Sequence, residues 1–494
     1  MTPLPHAFTT WIEAPRVRAA NAHPLKSDGA YVLCWLQQAL RARDNPVIDA
    51  AIRLGNELRL PVLVYHGLRE DYPYASARLH RFILGGSRDV ARGCKQRGLA
   101  CIQYVDRAAK RERGLVYRLA AQAAAVVLED QPAFVAQWQS ERVGAKASVA
   151  VFAVNAACVV PPLALEAGVG TTSAFRRRHE KLREQWYAWH EEEPEVAPYA
   201  GPLPYVPDDW SDASDADLDA LVASLDIDHT VAPVAIFPAT RDEVLLRLRR
   251  LTEEVLPAYA TARGDASRPE GASSLSPYMH FGLVGPREIV AAVQASDAGA
   301  GDKAKYIDEL LTWREWYHYA ARTKPVPESW ARLPDRSHRY LGEHAADPRP
   351  NVETLDALLH GETRDETWNA CQKQYVLDGW MHNNLRMYWA KKIIEYTPDP
   401  RTAWATACYL NDRLSLDGRD PSTYGNLAWA FGDASPGYRN LPIYGLVSTK
   451  SDKSIRGRSN GPEWLVAAAA RPVPRMSVPA AVPVDPYLSE NVPI

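Results

Sequence analysis

The feature that most restricts the fold is a change of hydrophobic period partway along the chain. Up to about residue 154, short and almost wholly apolar runs recur: Tyr31–Leu36, Pro61–Tyr65, Cys101–Val105, Ala125–Leu128 and Val149–Val154. Amphipathic stretches such as Pro46–Leu58 and Ser87–Arg97 separate them. Strands that are apolar on both faces and joined through helices need crossover connections, which gives a parallel sheet with helices on both sides. Ligands of such sheets sit beyond the carboxyl ends of the strands. No GxGxxG or GxxxxGK[ST] run is present, so a dinucleotide fingerprint or P-loop is unsupported. Gly85-Gly86-Ser87 reads as the opening of a helix, but the pair alone does not make a phosphate site.

From Thr240 the period is helical. Thr240 and Glu243 fit a capping box, and Val244, Leu245, Leu248, Leu251 and Val255 mark one apolar face. The pattern continues to about Ala407, becomes loop-rich past Gly432, and ends in a Pro- and Val-rich tail from Arg471 that reads as irregular or frayed. Between the two regimes, residues 194–236 are rich in Pro and Asp, with Asp208, Asp209, Asp212, Asp215, Asp217 and Asp219 close together. That composition predicts a solvated connection with a short helix near Ala216–Leu225. The Gly and terminal Glu of a calcium loop do not follow, and no metal site is expected. With 494 residues the chain is too long for one core. The expected divisions are 1–165, 166–236, 237–470 and 471–494.

Composition excludes some classes. Lys and Arg number 57 against 60 Asp and Glu, which rules out a globally basic nucleic-acid coat but leaves room for a local basic groove. No run of about eighteen apolar residues predicts a membrane span, and the N-terminal MTPLPHAFTTWIEAPRVR lacks a signal-peptide core. Six cysteines without a CxxC pair fit free thiols in a reducing cytoplasm.

The segment from Glu366 to Asp420 carries the densest chemistry. Trp389 and Tyr396 are seven residues apart, on one helix face with roughly 10.5 Å of rise between them, a spacing over which electrons hop between rings. Glu309 and Trp313 stand i, i+4, so a helix sets a carboxylate beside a flat ring, able to grip a nucleobase by hydrogen bonding and stacking. The bland alternatives are a buried Trp beside a surface Glu, and surface pairing of the acids and arginines in Asn411-Asp412-Arg413 and Asp417-Gly418-Arg419-Asp420. Lys450, Lys453, Arg456 and Arg458 form a basic run that reads either as a solvated loop or as a contact for DNA phosphates.

Five further runs, AYATARGDASRPEGASSLSPYMHFG, TWNA, MHNNLRMYWAKKI, YLNDRLSLDGRDP and STYGNLAW, together resemble the photolyase/cryptochrome family, closest to the class II cyclobutane pyrimidine dimer photolyases. The resemblance implies a Rossmann-like, doubly wound α/β antenna domain, a long linker and an α-helical FAD-binding domain. It implies a monomer that repairs DNA containing cyclobutane pyrimidine dimers by light-driven electron transfer from reduced FAD. A second antenna chromophore (deazaflavin, folate or flavin) is left open. So are two other activities, a flavin photoreceptor without repair and repair of (6-4) photoproducts. By the same resemblance, Asn411 faces the flavin, Arg386 and Asp417 form an ion pair beside its ring, and Tyr259, Ser273, Ser274 and Leu275 bind it. Glu309, Trp313, Met387 and Trp429 meet the flipped-out lesion, and Trp389 and Trp368 conduct electrons. The third conducting position is Trp in class II enzymes and Tyr396 here. Tyrosine gives up an electron readily only if its proton has somewhere to go, and Trp380 is the nearby aromatic that would stand in. The stretch GWMHN is more like the class I enzymes.

Overall fold

Tyr31–Leu36 is buried along its whole length, as a central strand must be. In the computed structural model, which describes all residues except 1–2, 108–113, 166, 205–206, 269–270, 324–325, 435, 438 and 483–494, it is β2 of a six-stranded sheet. The strands are β1 Val17–Ala19, β2 Tyr31–Leu36, β3 Val62–Arg69, β4 Ala100–Asp106, β5 Ala123–Glu129 and β6 Ala150–Val154, in the order β1-β6-β5-β2-β3-β4. All pairings among β2 to β6 are parallel. The fold is therefore Rossmann-like, with one departure from an all-parallel sheet: β1 runs antiparallel to β6 at the edge. Three residues, VRA, are too short to show a period of two.

Helix α1, Pro46–Leu58, has the bounds its sequence predicts, because Asn45 accepts from the amide of Val47 and Pro46 takes the first helical position. The Gly85-Gly86-Ser87 expectation is corrected. These residues lie inside α2, Ala77–Gln96, whose cap is Ser76. A Cβ at Gly85 would stand 2.8 Å from the Ala239 carbonyl oxygen, and one at Gly86 would stand 3.0 Å from a Leu40 methyl. The glycines let the chain pass close; they do not start a helix. The acidic connection is solvent-exposed, as expected, but it is not free of the fold. Asp215 pairs with Arg81 and Arg88 at 2.9 and 3.0 Å, Asp219 with Arg81 at 2.5 Å, and Asp208 accepts from the Val105 amide. The segment is strapped onto α2 and β4, and within it Asp215–Ala223 is helical behind a Ser214–Asp217 capping box.

The second half is largely α-helical. Thr240 caps α3, Arg241–Arg250, through the Glu243 amide, but the Glu243 carboxylate turns to Arg247, so only half the predicted box forms. The core is built on α4 Glu366–Asp378, α5 Asn383–Tyr396 and α6 Pro400–Leu414, which enclose Trp368, Tyr375, Tyr388, Trp389 and Trp404. Asp365, His382 and Asp399 cap these three helices, and Gly379, at φ 63°, ends α4 in the left-handed conformation. Two of the three widened π-turns among the described residues, Asp308–Trp313 and Trp429–Asp433, interrupt the later helical run, a feature frequent at functional sites. The tail is irregular to residue 482 but not frayed: Arg471 pairs with Asp378, Arg475 with Glu362, and Met476 is buried. Beyond that point it lies outside the described residues. No helix among the described residues is long and apolar enough to cross a membrane.

Candidate functional site

A cavity of about 780 Å³ opens in the helical region, within the roughly 300–1,000 Å³ usual for cofactor sites. Its wall draws on five stretches of chain. Tyr259, Ser273, Ser274 and Leu275 line it, as do Glu309 and Trp313, Arg386 and Met387, Asp417 and Trp429, and Lys450. Pro269 and Glu270, in the run AYATARGDASRPEGASSLSPYMHFG, lie outside the described residues.

Arg386 and Asp417 form a buried ion pair, with Nη2 2.8 and 3.1 Å from the two carboxylate oxygens. Asp417 also accepts from the hydroxyls of Ser276 and Ser415 at 2.6 and 2.5 Å. The other face of the guanidinium lies over the Tyr375 ring, 5.5 Å from its centroid. Three buried polar atoms on the cavity wall, Arg386 Nε, Ser422 Oγ and His280 Nε2, have no partner among the described residues. Buried donors without acceptors are uncommon; these fit a wall built for a polar ligand. Next to them Asp420 caps the helix α7, Pro421–Ala428, and faces His280 and His318. Burial alone would raise its carboxyl; the two imidazoles and Arg314 outweigh that and hold it well below the usual range.

Glu309 and Trp313 sit on the π-turn, not on an α-helical i, i+4 pair. The Glu309 carboxylate is held between Arg263 at 2.9 Å and Lys305 at 2.7 Å, two cations that sequence reasoning missed. One face of Trp313 lies under Arg176. Trp429 opens the second π-turn and is 37% exposed. Lys391 lies 5.3 Å from its ring and donates to the Ala430 carbonyl and to Ser448. Burial pushes the Lys391 ammonium down to about 8.

Asn411 is fully buried but does not line the cavity. Its oxygen accepts from the Tyr375 hydroxyl at 2.7 Å and its nitrogen donates to Asp412 at 2.9 Å. The expected conducting rings do pack in series. Trp389 and Trp368 stack with centroids 6.3 Å apart and planes 8° from parallel, and Tyr396 meets Trp368 edge-on at 5.8 Å. Tyr375, which sequence reasoning also missed, joins Trp389 to Arg386 and so to the cavity wall. Trp380 is on the cavity wall, bonded to Ser276; the aromatic next to Trp368 is Tyr396. Of the basic run, Lys450 lines the cavity, Arg456 is tied to Asp452 and Thr367, Arg458 reaches the Gly264 carbonyl, and Lys453 is exposed.

Comparison with known proteins bears on this geometry. The sequence model described as DNA photolyase matches residues 32–198. The chain is 30% identical over 467 residues to the deoxyribodipyrimidine photo-lyase of Methanothermobacter thermautotrophicus, covering 92% of this chain and 98% of that one. Among solved structures, a bacterial class III photolyase from Agrobacterium tumefaciens superposes with a TM-score of 0.64 at 18% identity, over 90% of this chain and 87% of the other. An archaeal photolyase from Sulfolobus tokodaii, solved with two FAD molecules, gives 0.58 at 14% identity, over 91% and 96%.

Proposed function

The chain belongs to the photolyase/cryptochrome family, and within it we propose that this protein repairs DNA by splitting cyclobutane pyrimidine dimers, with FAD as its cofactor. One observation carries the reading: the Arg386–Asp417 pair, the Glu309–Arg263–Lys305 cluster and the two partly exposed rings Trp313 and Trp429 all line the same cavity. A photoreceptor has no use for an aromatic clamp open to solvent.

The residues present fit a flavin. The cavity has the volume, and three buried polar atoms on its wall await a partner. Arg386, Asp417, Tyr259, Ser273, Ser274 and Leu275 would hold FAD, which when bound absorbs light and supplies one electron. Everything else is the work of this chain. Trp313 and Trp429 would stack on the dimer of adjacent pyrimidines once it has flipped out of the duplex, and damage lowers the cost of leaving it. Arg263 and Lys305, paired with Glu309, would supply N–H donors to a base carbonyl on which negative charge grows. Glu309 fixes the two cations. Lys450, Lys453 and Arg458 would meet backbone phosphates.

Blue-light repair of a dimer-containing oligothymidine by the reduced protein, followed by recovery of thymine absorbance, tests the reading. Recovery should require both light and protein. Absence of recovery from protein with FAD bound and reduced would leave a signalling flavoprotein instead. Glu309→Ala is expected to retain FAD and to lower the repair yield about tenfold, equivalent to about 1.4 kcal/mol. An unchanged yield would remove Glu309 from the mechanism.

A further inference from the structure

Asp365 divides its carboxylate between two tasks. One oxygen caps α4, accepting from the Trp368 amide at 2.9 Å. The other accepts two phenol hydroxyls, Tyr396 at 2.8 Å and Tyr388 at 2.5 Å. Of the two phenols, Tyr396 is the one whose ring meets Trp368 edge-on. We propose that Tyr396 is the outermost electron donor of the aromatic series and that Asp365 takes its proton as the electron leaves. The proposal rests on the flavin reading above and assigns a role to a carboxylate that the reading does not use.

The three rings differ in where their protons can go. Trp389 Nε1 donates to the Gln372 amide oxygen at 2.8 Å, and Trp368 Nε1 to the Trp389 carbonyl at 3.0 Å. Both indoles are fully buried. Neither partner is a useful base, so an oxidised tryptophan here keeps its proton, stays charged and stays strongly oxidising. Tyr396 alone donates to a carboxylate, within the 2.6–3.2 Å reach of proton transfer. An oxidised phenol is a strong acid, so the electron leaves at low cost only where the proton leaves with it. Asp365 is partly exposed and passes the proton on to water. The remaining charges nearby are already engaged: Lys392, 5.8 Å from the Tyr396 ring, pairs with Glu395, and Glu353 faces Arg364. A tyrosine therefore completes the series where the family resemblance places a tryptophan.

One electron passes from Tyr396 to oxidised Trp368, which returns to the neutral indole. The Tyr396 O–H bond breaks and an O–H bond forms on Asp365, leaving a neutral tyrosyl radical and a carboxylic acid. A thiol in solution then gives the radical a hydrogen atom, and Asp365 releases its proton to water. The net flow is one electron from the thiol inward to the flavin.

The test is transient absorption and electron paramagnetic resonance of the illuminated, FAD-loaded protein in H₂O and D₂O. Wild type should form a tyrosyl radical at a rate that slows in D₂O. Asp365→Asn keeps a good helix cap but not the base, so the radical should form about a hundredfold more slowly and the tryptophan signal should outlast it. Tyr388→Phe should keep the radical, and Tyr396→Phe should lose it. A wild-type radical rate and isotope effect in Asp365→Asn would overturn the proposal, as would a wild-type protein with no isotope effect. Trp389→Phe separates the two levels of inference. If it photoreduces like wild type, the Trp389–Trp368 route falls and this proposal with it while the flavin reading stands; if the wild-type protein binds no FAD, the flavin reading itself falls and this proposal with it. If Trp389→Phe is dead while Asp365→Asn is normal, only the assignment of Asp365 falls.

Discussion

Asp417→Ala is expected to cost about 3–5 kcal/mol of folding stability and to leave the purified protein without flavin. The size follows from burial. The side chains of Arg386 and Asp417 are 7% and 8% exposed, so removing the carboxylate strands a guanidinium with no water to solvate it. The Ser276 and Ser415 hydroxyls lose their acceptor in the same stroke. Urea unfolding should show a lower midpoint with an unchanged slope, and the ratio of flavin to protein absorbance should fall toward zero. The pair's role in binding can be separated from its role in folding. A double variant, Arg386→Met with Asp417→Leu, replaces the ions by apolar groups of similar bulk and should regain most of the lost stability. It should still fail to hold flavin. A double variant that binds flavin normally would show that the pair serves folding alone.

How far the sequence discloses this arrangement depends on the range of the interactions. Strand β2 and helix α1 emerge with their observed bounds because each signal is local: an unbroken apolar run, and an Asn-Pro start. The edge strand β1 is invisible because three residues carry no period. Gly85 and Gly86 mislead because their cause, a carbonyl at residue 239 and a methyl at residue 40, lies far away in the chain. Asp208, Asp215 and Asp219 are solvated as their composition suggests, but their partners, arginines of α2 and an amide of β4, are not legible in it. At the site, motif resemblance finds the residues that line the cavity but not the ones that support them. Tyr375, Arg263, Lys305 and Asp365 have no signature of their own; each matters through one partner brought close by folding. Asn411 shows the opposite case, a motif residue whose amide oxygen meets Tyr375 and whose nitrogen gives one of its two N–H groups to Asp412.

Arg78→Met is expected to destabilise the protein by about 3–4 kcal/mol and to quicken flavin release, although Arg78 does not line the cavity. Arg78 lies on α2, beside the sheet, and is 3% exposed. Its guanidinium donates to the carbonyls of Tyr375 and Val376 in the last turn of α4, to Leu414 at the end of α6, and to Ala232. Helix C-termini leave carbonyls without partners and carry the negative end of the dipole; one cation answers two of them at once. Methionine fills the volume and satisfies none of those oxygens, and lysine offers a point charge in place of a fork, so Arg78→Lys should recover only part of the loss. The chain leaving α4 runs through Gly379 directly into Trp380 and Met381 of the cavity wall, which is why loosening this helix end should reach the cofactor. The same variant probes cooperativity. Arg78 joins the strand-and-helix half to the helical half, so the wild type should unfold in one transition and Arg78→Met in two, with flavin fluorescence released in the earlier one. An unchanged midpoint, or a single transition in both proteins, would mean that the rest of the interface between the halves suffices, and that the buried guanidinium does no more than satisfy the helix ends it touches.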